Sequence, residues 1–401
     1  MINISVLGYG TVGSGVVEVL NTNYDSIARK AGQPINVKYV LDLRDFPGDP
    51  IQEKIVHDYK EIVNDPEVDI VVETMGGLHP AYEFVKEALE KGKSVCTSNK
   101  ELVAKYGAEL LELAKEKSIN FLFEASVGGG IPIIRPLNQS LTADEIEEIT
   151  GILNGTTNYI LTKMATEGAD FETVLKDAQD KGYAERNPEA DVEGYDACRK
   201  IAILSSLAYG RQVDFEDIYT EGITKITKAD MEYAKVLGAS IKIVGSSKRV
   251  EDKVYAFVAP MMIDSDHPLY SVNDVFNGIF VKGNVLGDTM FYGKGAGKLP
   301  TASAVVADVI DAAKHVGTNI MTIWSREKIQ LANFEEASHR FFVRVPAEEK
   351  EKATMVFGHV QVVEANVEGE YGFITELMTE KEFKEKTNSL GHVLSKIRVA
   401  F

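Results

Sequence analysis

Residues 2–20, INISVLGYGTVGSGVVEVL, pass from a short apolar run through a glycine-rich turn into a segment whose apolar residues recur at helical spacing. Gly8, Gly10 and Gly13 form the pattern G-x-G-x-x-G, which is informative only because it follows a predicted strand and opens a predicted helix. There Gly8 would make the tight turn, Gly10 would let backbone amides approach a pyrophosphate, and Gly13 would let helix and strand pack closely. The stretch predicts a dinucleotide-binding βαβ unit. The alternative is a glycine turn needed only for packing.

Strands and helices alternate through the first 130 residues. The predicted strands are 2–7, 37–41, 68–75, 94–98 and 119–127, and the predicted helices are 81–92 and 101–117. The run at 68–75 is apolar at successive positions, which favours a strand buried on both faces of a parallel sheet. Residues 1–130 are therefore expected to form an α/β domain with a doubly wound, Rossmann-type sheet that binds NAD(P).

The pattern changes after Gly130. The predicted strands are then 149–155, 242–246, 254–263 and 277–283, and the predicted helices are 171–181, 194–209 and 228–238. We expect residues 131–335 to form an α+β substrate-binding and dimerisation domain, with a helix at 301–317 that packs back on the first domain. Residues 337–401 follow the order strand, helix, strand, strand, helix, strand, which is typical of a ferredoxin-like fold.

The composition excludes several classes of protein. With 401 residues the chain is too long for one ordinary core, and its formal net charge of −18 argues against a nucleic-acid or anionic membrane partner. No apolar run approaches the roughly 20 residues that a membrane helix needs. The two cysteines, Cys96 and Cys198, fit a reducing compartment, so a cytoplasmic enzyme is expected.

Charged residues at the ends of predicted strands are candidates for cofactor contacts, because ligands of doubly wound sheets bind beyond the carboxyl ends of the strands. Asp42 could hold the ribose 2′-hydroxyl of NAD, whereas Arg44 could meet the 2′-phosphate of NADP. Both could also be solvated loop charges, so the cofactor preference stays open. Lys100 precedes a predicted helix, where the helix dipole disfavours a cation. A role toward cofactor or substrate and a solvated lysine are both open there.

The stretch GYAERNPEADVEGYDACRK (182–200) gathers five carboxylates ahead of a final lysine. On a helix expected from about residue 192 to 209, one stripe carries Asp196, Lys200, Ile203 and Leu207. A charged pair on an apolar stripe needs a partner or a polar cavity, whereas an exposed i,i+4 pair contributes only about 0.3–0.5 kcal/mol. The stripe favours a cavity, in which Lys200 could serve as general acid or base toward a carbonyl or alcohol oxygen.

These motifs together resemble the homoserine dehydrogenase family. The matching stretches, in the family's order, are GYGTVG (8–13), VVETMGG (71–77), TSNKELVA (97–104), EASVGGGIP (124–132), GILNGTTNYIL (151–161), GYAERNPEADVEGYDACRK (182–200) and GKGAGKLPTASAV (293–305). The resemblance implies NAD(P)-dependent interconversion of L-aspartate 4-semialdehyde and L-homoserine, on the pathway to threonine and methionine. It also implies a homodimer formed through the substrate domain, with a higher homo-oligomer through the C-terminal domain as an alternative, and no nucleic-acid or membrane partner.

The resemblance further implies a role for each matching residue. Lys200 matches the family's general acid and base, and Lys100 matches a second active-site lysine. The amino-acid end of the substrate would be bound by Glu185, Asp191 and Asp196. The residues expected to bind NADP or NAD are Gly8, Gly10, Thr11, Val12, Gly13, Thr74, Lys100, Gly295 and Gly297. A monovalent cation, commonly sodium, would be held by Glu124 and the carbonyl groups of Val127, Gly129 and Ile131.

The C-terminal residues depart from the family pattern. Many members end in an ACT domain whose first loop carries an Asp-x-Pro-Gly turn, which RFFVRVPAEEKEKATMVFGHVQVV (340–363) lacks. We expect residues 337–401 to form a degenerate ACT-like domain without strong threonine inhibition.

Two other functions fit part of the chain. Aspartate-semialdehyde dehydrogenase needs a cysteine nucleophile, but neither Cys96, within a predicted strand, nor Cys198, on a predicted helix, has a histidine nearby in the sequence. A non-catalytic dinucleotide-binding sensor with an ACT-like tail would not need Lys200 beside Asp196. An NAD(P)H-consumption assay with aspartate semialdehyde separates the enzyme from the sensor.

Overall fold

The computed structural model describes all 401 residues, and the chain forms two compact units. Unit 1 comprises Met1–Glu145, Ala202–Asp214 and Gly293–Ile329, and unit 2 comprises Ile146–Ile201, Phe215–Tyr292 and Gln330–Phe401. None of the helices is both long and apolar enough to cross a membrane.

The strands, in chain order, are β1 Ile2–Leu7, β2 Ile35–Leu41, β3 Ile55–Val56, β4 Ile70–Glu73, β5 Ser94–Thr97, β6 Phe121–Leu122, β7 Ile146–Ile152, β8 Arg211–Gln212, β9 Tyr219–Thr220, β10 Ser240–Val250, β11 Lys253–Ile263, β12 Phe276–Gly283, β13 Gly287–Lys294, β14 Ser325–Lys328, β15 Ser338–Pro346, β16 Val360–Val363, β17 Glu370–Thr375, β18 Met378–Thr379 and β19 Ser395–Val399. The α-helices are α1 Thr11–Thr22, α2 Tyr24–Ala31, α3 Tyr59–Val63, α4 Ala81–Glu90, α5 Lys100–Glu116, α6 Gly155–Glu167, α7 Phe171–Asp180, α8 Glu189–Val192, α9 Tyr195–Tyr209, α10 Lys228–Val236, α11 Lys298–Lys314, α12 Lys350–Phe357 and α13 Glu380–Asn388.

Unit 1 is built on a six-stranded parallel sheet. The strand order is β3-β2-β1-β4-β5-β6, and β1 pairs in parallel with both β2 and β4. This is the order 3-2-1-4-5-6 of a doubly wound sheet, in which the winding direction reverses between β1 and β4. The loops that follow these two strands therefore border the crevice where dinucleotides bind. The Rossmann-type sheet predicted from the sequence is confirmed.

The helix expected at 301–317 is α11, and it packs on α1 within unit 1. A Cβ atom on Gly15 of α1 would lie 2.9 Å from the Lys298 carbonyl oxygen and 3.0 Å from the Ala302 Cβ atom. Small residues on both helices therefore permit their close approach. Val305 and Val309 of α11 join the buried core that contains the β1 side chains.

Two predicted elements differ from the structure. The predicted strand 119–127 is reduced to β6, because the Glu124 amide donates to the Asp308 carboxylate (2.8 Å) and the backbone forms a 3-10 turn at Glu124–Ser126. The helix expected from about residue 192 begins at Tyr195 as α9, because Gly194 has a φ of 84°, which is incompatible with a helix and separates α9 from the preceding short helix α8. Helix α6, which the sequence analysis missed, follows β7 directly.

Unit 2 is built on a mixed sheet. Its main path is β13-β12-β7-β10-β11-β19-β15-β17-β16, with antiparallel pairs from β12 through β11. The C-terminal strands join this sheet through a parallel pair of β11 with β19, Met261 with Arg398 and Met262 with Val399. The expected mixed α+β architecture is confirmed for this part of the chain.

Two buried arginines of the C-terminal strands bind side chains from earlier parts of unit 2. Arg344 Nε donates to Asp230 Oδ1 (2.8 Å) at the start of α10. Arg398 donates to Glu221 (2.9 Å), which follows β9, and also to Glu380 (2.6 Å) within the C-terminal residues. Because both guanidinium groups are almost fully buried, these bonds fix the C-terminal strands to the rest of the sheet.

Candidate active site

The glycine-rich loop joins β1 to α1 in unit 1. Gly8 has a φ of 93°, a left-handed conformation that favours glycine. A Cβ atom on Gly13 would lie 1.9 Å from the Gly8 carbonyl oxygen, so the loop closes only with glycine there. No atom lies within 4 Å of a Cβ position on Gly10, which is the N-cap of α1. Thr11 and Val12 begin that helix, so the loop offers an open helix N-terminus of the kind that binds pyrophosphate.

Two further loops predicted to contact the cofactor also lie in unit 1. The Thr74 hydroxyl is 3.0 Å from the carbonyl oxygens of Leu7 and Gly8, so it fixes the loop after β4 to the glycine-rich loop. A Cβ atom on Gly129 would lie 2.2 Å from the Gly295 carbonyl oxygen, which shows how closely these glycines approach. Gly297 has a φ of 122° and is the N-cap of α11.

Asp42 and Arg44, the two candidates for contacts at the 2′ position of the cofactor ribose, form an ion pair with each other. Arg44 Nε lies 2.9 Å from Asp42 Oδ1, and Asp42 Oδ2 also accepts the Tyr9 amide of the glycine-rich loop (2.8 Å). Hydrogen bonding from Arg44 holds the pKa of the Asp42 carboxyl well below its usual range. The Arg44 side chain is 63% exposed, so the guanidinium stays accessible while Asp42 orients it.

Lys100 is the first residue of α5. The preceding residue, Asn99, is the helix N-cap and accepts the Leu102 amide on Oδ1 (3.1 Å). Asn99 Nδ2 also donates to the Gly77 carbonyl (2.6 Å) in the loop after β4. The two loops at the carboxyl ends of β4 and β5 are therefore bound to each other immediately before the lysine.

In unit 2, Lys200 and Asp196 form a buried pair on α9. Lys200 Nζ lies 2.8 Å from Asp196 Oδ2 and 2.8 Å from the Leu153 carbonyl oxygen at the end of β7. Both side chains are buried rather than exposed, as their position on an apolar stripe favoured. Ile203 and Leu207, on the same stripe, are also buried. An ammonium group held in this way can donate or accept a proton at a defined place.

Asn154 connects this pair to a second carboxylate, and the sequence analysis did not identify it. Its Nδ2 lies 2.8 Å from both Asp191 Oδ1 and Asp196 Oδ2, and its Oδ1 accepts the Thr157 amide (2.9 Å) as the N-cap of α6. Asparagine ahead of a helix is an available N-cap signal, but the bridge between the two carboxylates depends on contacts 37 and 42 residues apart.

The remaining acids of the stretch 182–200 are not joined to this network. Glu185 is exposed, and its backbone carbonyl accepts Gln179 Nε2 (2.9 Å). The Thr156 hydroxyl donates to the Tyr183 carbonyl (2.6 Å), which fixes the same loop to the start of α6. Glu193 accepts the Thr224 hydroxyl (3.0 Å).

The residues predicted to hold a cation lie together in unit 1. The buried Glu124 carboxylate accepts three backbone amides, from Ile133 (2.6 Å), Ile134 (2.9 Å) and Arg135 (2.8 Å). No backbone amide donates to the carbonyl oxygens of Val127, Gly129 or Ile131. The Glu124 side chain is therefore committed to the backbone, and carbonyl oxygens are the available ligands.

Comparison with known proteins identifies the family. Family models described as "Homoserine dehydrogenase" and "Homoserine dehydrogenase, NAD binding domain" match residues 132–310 and 8–124. Homoserine dehydrogenase from Bacillus subtilis is 44% identical over 319 residues, covering 79% of this chain and 73% of the relative. The chain belongs to the homoserine dehydrogenase family. Homoserine dehydrogenases act as NAD(P)-dependent oxidoreductases in amino-acid biosynthesis, and the catalysed reaction interconverts L-aspartate 4-semialdehyde and L-homoserine.

Solved homoserine dehydrogenases share the fold. The crystal structure from Thiobacillus denitrificans has a TM-score of 0.90 and 35% sequence identity, covering 99% of this chain and 98% of that one. A hyperthermophilic archaeal homoserine dehydrogenase in complex with NADPH has a TM-score of 0.67 and 30% identity, covering 78% of this chain and 97% of that one. The family assignment favours the enzyme over a non-catalytic sensor.

Proposed function

We propose that Lys200 is the general acid and base of the homoserine dehydrogenase reaction. The observation that carries this proposal is its buried ammonium group, held between Asp196 Oδ2 and the Leu153 carbonyl. In the reducing direction Lys200 would give a proton to the aldehyde oxygen, and in the oxidising direction it would take the hydroxyl proton of homoserine. A nicotinamide supplies or accepts the hydride when bound. NAD(P)H consumption with aspartate semialdehyde, abolished in Lys200→Ala, tests the proposal.

We propose that Asp191, Asp196 and Glu185 bind the ammonium end of the substrate. Asp191 and Asp196 support this role because Asn154 holds their carboxylates side by side. Glu185 would contribute from the loop that Thr156 and Gln179 fix to neighbouring helices. A cationic group is the natural ligand of such a carboxylate cluster. Replacing Asp191 with Asn should raise the KM for homoserine more than the KM for the cofactor.

We propose that the glycine-rich loop, Thr74, Lys100, Gly295 and Gly297 bind the cofactor and that NADP is preferred over NAD. The preference rests on Arg44, since Asp42 is occupied by Arg44 and by the Tyr9 amide and is less available to a ribose 2′-hydroxyl. A guanidinium fixed by a carboxylate and exposed at the loop suits a 2′-phosphate. The ratio of kcat/KM values for the two cofactors measures this preference.

We propose that a monovalent cation such as sodium binds at the turn 124–131 through the carbonyl groups of Val127, Gly129 and Ile131. No backbone amide donates to these oxygens, so their lone pairs are available to an ion. Hard cations bind oxygen ligands of this kind. Glu124 would shape the turn through the amides that its carboxylate accepts and add negative charge nearby. Activity and thermal stability measured in sodium and in a tetraalkylammonium salt test for this ion.

We propose that the enzyme is a homodimer assembled through the unit 2 sheet and that residues 337–401 form a degenerate ACT-like domain. The sheet order β19-β15-β17-β16 matches strands 4-1-3-2 of a βαββαβ fold, which supports the ACT-like assignment. The archaeal homologue also supports a separate C-terminal domain, because almost its whole length (97%) aligns with only 78% of this chain. Sedimentation and a threonine titration test the two parts separately, and strong threonine inhibition would contradict the degenerate pocket.

A further inference from the structure

Glu73, the last residue of β4, carries a fully buried carboxylate at the crevice end of the unit 1 sheet. Its Oε1 accepts the amides of Met75 (2.8 Å) and Gly76 (3.2 Å), which belong to the loop that follows the strand. Its Oε2 accepts the hydroxyl of Thr97 (2.6 Å), the last residue of β5. One carboxylate therefore binds the loop after β4 and the end of the neighbouring strand.

The bonds continue from Thr97 into the loop that carries Lys100. The Thr97 hydroxyl oxygen accepts the Asn99 amide (2.9 Å), and Asn99 Nδ2 donates to the Gly77 carbonyl (2.6 Å). The hydrogen bonds thus start at Glu73, pass through the second loop and return to the first. Lys100 follows Asn99 directly as the first residue of α5.

The position of the loops after β4 and β5 determines which part of the cofactor they would contact. A doubly wound sheet consists of two mononucleotide-binding halves, and β4, β5 and β6 make up the second half. The glycine-rich loop after β1 binds the pyrophosphate, so the loops after β4 and β5 lie on the nicotinamide side.

We propose that Glu73 is a positioning residue that holds the loops 74–77 and 97–100 in the geometry required for the nicotinamide end of the cofactor and for Lys100. The inference rests on the proposed cofactor contacts of Thr74 and Lys100. Glu73 itself touches neither substrate nor cofactor; it acts through Thr97 and the amides of its own loop.

Glutamine at this position separates positioning from structural support. It keeps one acceptor oxygen for the amides of Met75 and Gly76, but its amide nitrogen cannot accept the Thr97 hydroxyl. Burial disfavours the charged form and raises the pKa of Glu73, so glutamine relieves a desolvation cost at the same time as it loses the bond to Thr97. Lost catalysis with an unchanged melting temperature is therefore the signature of positioning.

The experiment compares Glu73→Gln with Asp69→Asn in the full-length enzyme. Asp69 immediately precedes β4, at the end opposite Glu73, and its carboxylate accepts the Asn3 amide (2.8 Å), so it gives the same chemical change away from the crevice. We expect Glu73→Gln to lower kcat about 10- to 100-fold and to raise the KM for NAD(P)H several-fold, because small misplacements of reacting groups have effects of this size. Asp69→Asn should match the wild type.

A cofactor fragment sharpens this test. ADP-ribose and 2′-phospho-ADP-ribose lack the nicotinamide ring, so their inhibition constants should stay within about twofold in Glu73→Gln. Equal weakening of the fragments and the complete cofactors would overturn the proposal, since it would indicate a general disturbance of the sheet. Unchanged kcat would also overturn it.

A second pair of variants keeps the test decisive if Glu73→Gln does not fold. Thr97→Val removes the hydroxyl that Glu73 accepts, and Thr97→Ser keeps it; the expected result is a kcat loss in the valine variant and near-normal activity in the serine variant. Equal activities of the two variants would overturn the inference. Lys100→Ala in the same assay tests the proposed cofactor contact on which the inference rests. If Lys100→Ala keeps the wild-type kcat and KM for NAD(P)H, that proposed contact fails. If Lys100→Ala is impaired and Glu73→Gln is normal, only the role of Glu73 is contradicted.

Discussion

Lys200 Nζ lies 2.8 Å from Asp196 Oδ2, one helical turn away, and the two side chains are only 10% and 3% exposed. An exposed pair at this spacing would contribute a few tenths of a kcal/mol. A buried pair is different, because removing one partner leaves a charge without compensation in a poorly solvated place. The pair therefore links the acid–base chemistry of this homoserine dehydrogenase to its stability, and experiments must separate the two.

We expect Lys200→Met to lower kcat by about 10²- to 10⁴-fold, the usual range for loss of a general acid or base. The variant should also lose about 3–5 kcal/mol of stability, because Asp196 stays buried without the ammonium group. The double variant Asp196→Asn/Lys200→Met should recover stability and remain inactive. Lys176→Met, which removes an exposed lysine paired with Asp180, is the control and should keep its turnover. Turnover near the wild-type value in Lys200→Met would exclude the assigned role.

Asn154 should matter in two separable ways. Asn154→Ala removes the N-cap of α6, worth about 1 kcal/mol, and also the amide between Asp191 and Asp196. Because hydrogen bonds to charged groups contribute about 1.5–3 kcal/mol, kcat/KM for homoserine should fall about 10- to 100-fold. Asp170→Ala removes only the N-cap of α7 and should give a similar loss of stability with normal kinetics. Equal kinetics in the two variants would show that Asn154 is only a cap.

The surroundings of Gly10 and Gly13 predict different stabilities for alanine variants at these two positions of the glycine-rich loop. A methyl group on Gly10 meets no atom within 4 Å, so Gly10→Ala should fold normally and weaken only cofactor binding. A methyl group on Gly13 would lie 1.9 Å from the Gly8 carbonyl oxygen, so Gly13→Ala should lose about 1–3 kcal/mol of stability as well as cofactor affinity. Melting temperature and cofactor Kd measured for both variants check this contrast. A destabilised Gly10→Ala with normal affinity would contradict the assignment.

The sequence was sufficient for features that depend on local pattern and insufficient for those that depend on distant contacts. The loop from Gly8 to Gly13 predicted its strand, its helix and the sheet class, because the local backbone requires glycine at Gly8 and Gly13 and leaves the helix N-terminus open at Gly10. The burial of Lys200 followed from helical periodicity. Helix α6 is not predicted by local pattern because GTTNYILTKMATE is rich in threonine, which has low helix propensity. The Glu73 and Asn154 networks join residues far apart in the chain, which no local pattern encodes.

Arg44 should determine the cofactor preference. Arg44→Ala removes the guanidinium that suits a 2′-phosphate and leaves Asp42 able to accept a ribose hydroxyl. We expect kcat/KM for NADP to fall about 10-fold or more, in line with loss of a charge-assisted contact, while the value for NAD stays level or rises. Arg211→Ala, which removes an exposed arginine paired with Glu327, is the control. Equal losses with both cofactors would remove Arg44 from the discrimination.

Lys242 predicts a pH dependence of stability in unit 2. The side chain is almost fully buried on β10, where Nζ lies 2.5 Å from the Val272 carbonyl oxygen and 2.9 Å from Asn273 Oδ1. Burial lowers the pKa of Lys242 to about 8, with Asp274 acting in the opposite direction.

The direction of this pH dependence follows from the number of protons that the folded and the unfolded chain bind. The pKa of Lys242 is about 8 in the folded protein and has the ordinary lysine value in the unfolded chain. At pH values between these two, the unfolded chain holds a proton that the folded chain has released. The free energy of unfolding should therefore rise with pH across this window, by at most about 1.4 kcal/mol per pH unit, and this contribution is lost as pH falls through 8. Urea unfolding of the wild type and of Lys242→Met at several pH values isolates the effect, because other titrating groups cancel in the difference. Lys282→Met, at an exposed position on β12, should show no such trend. The opposite trend would contradict the prediction. If the free energy of unfolding of the wild type, relative to Lys242→Met, falls as the pH rises, the carbonyl and amide oxygens around Lys242 stabilise its buried ammonium group.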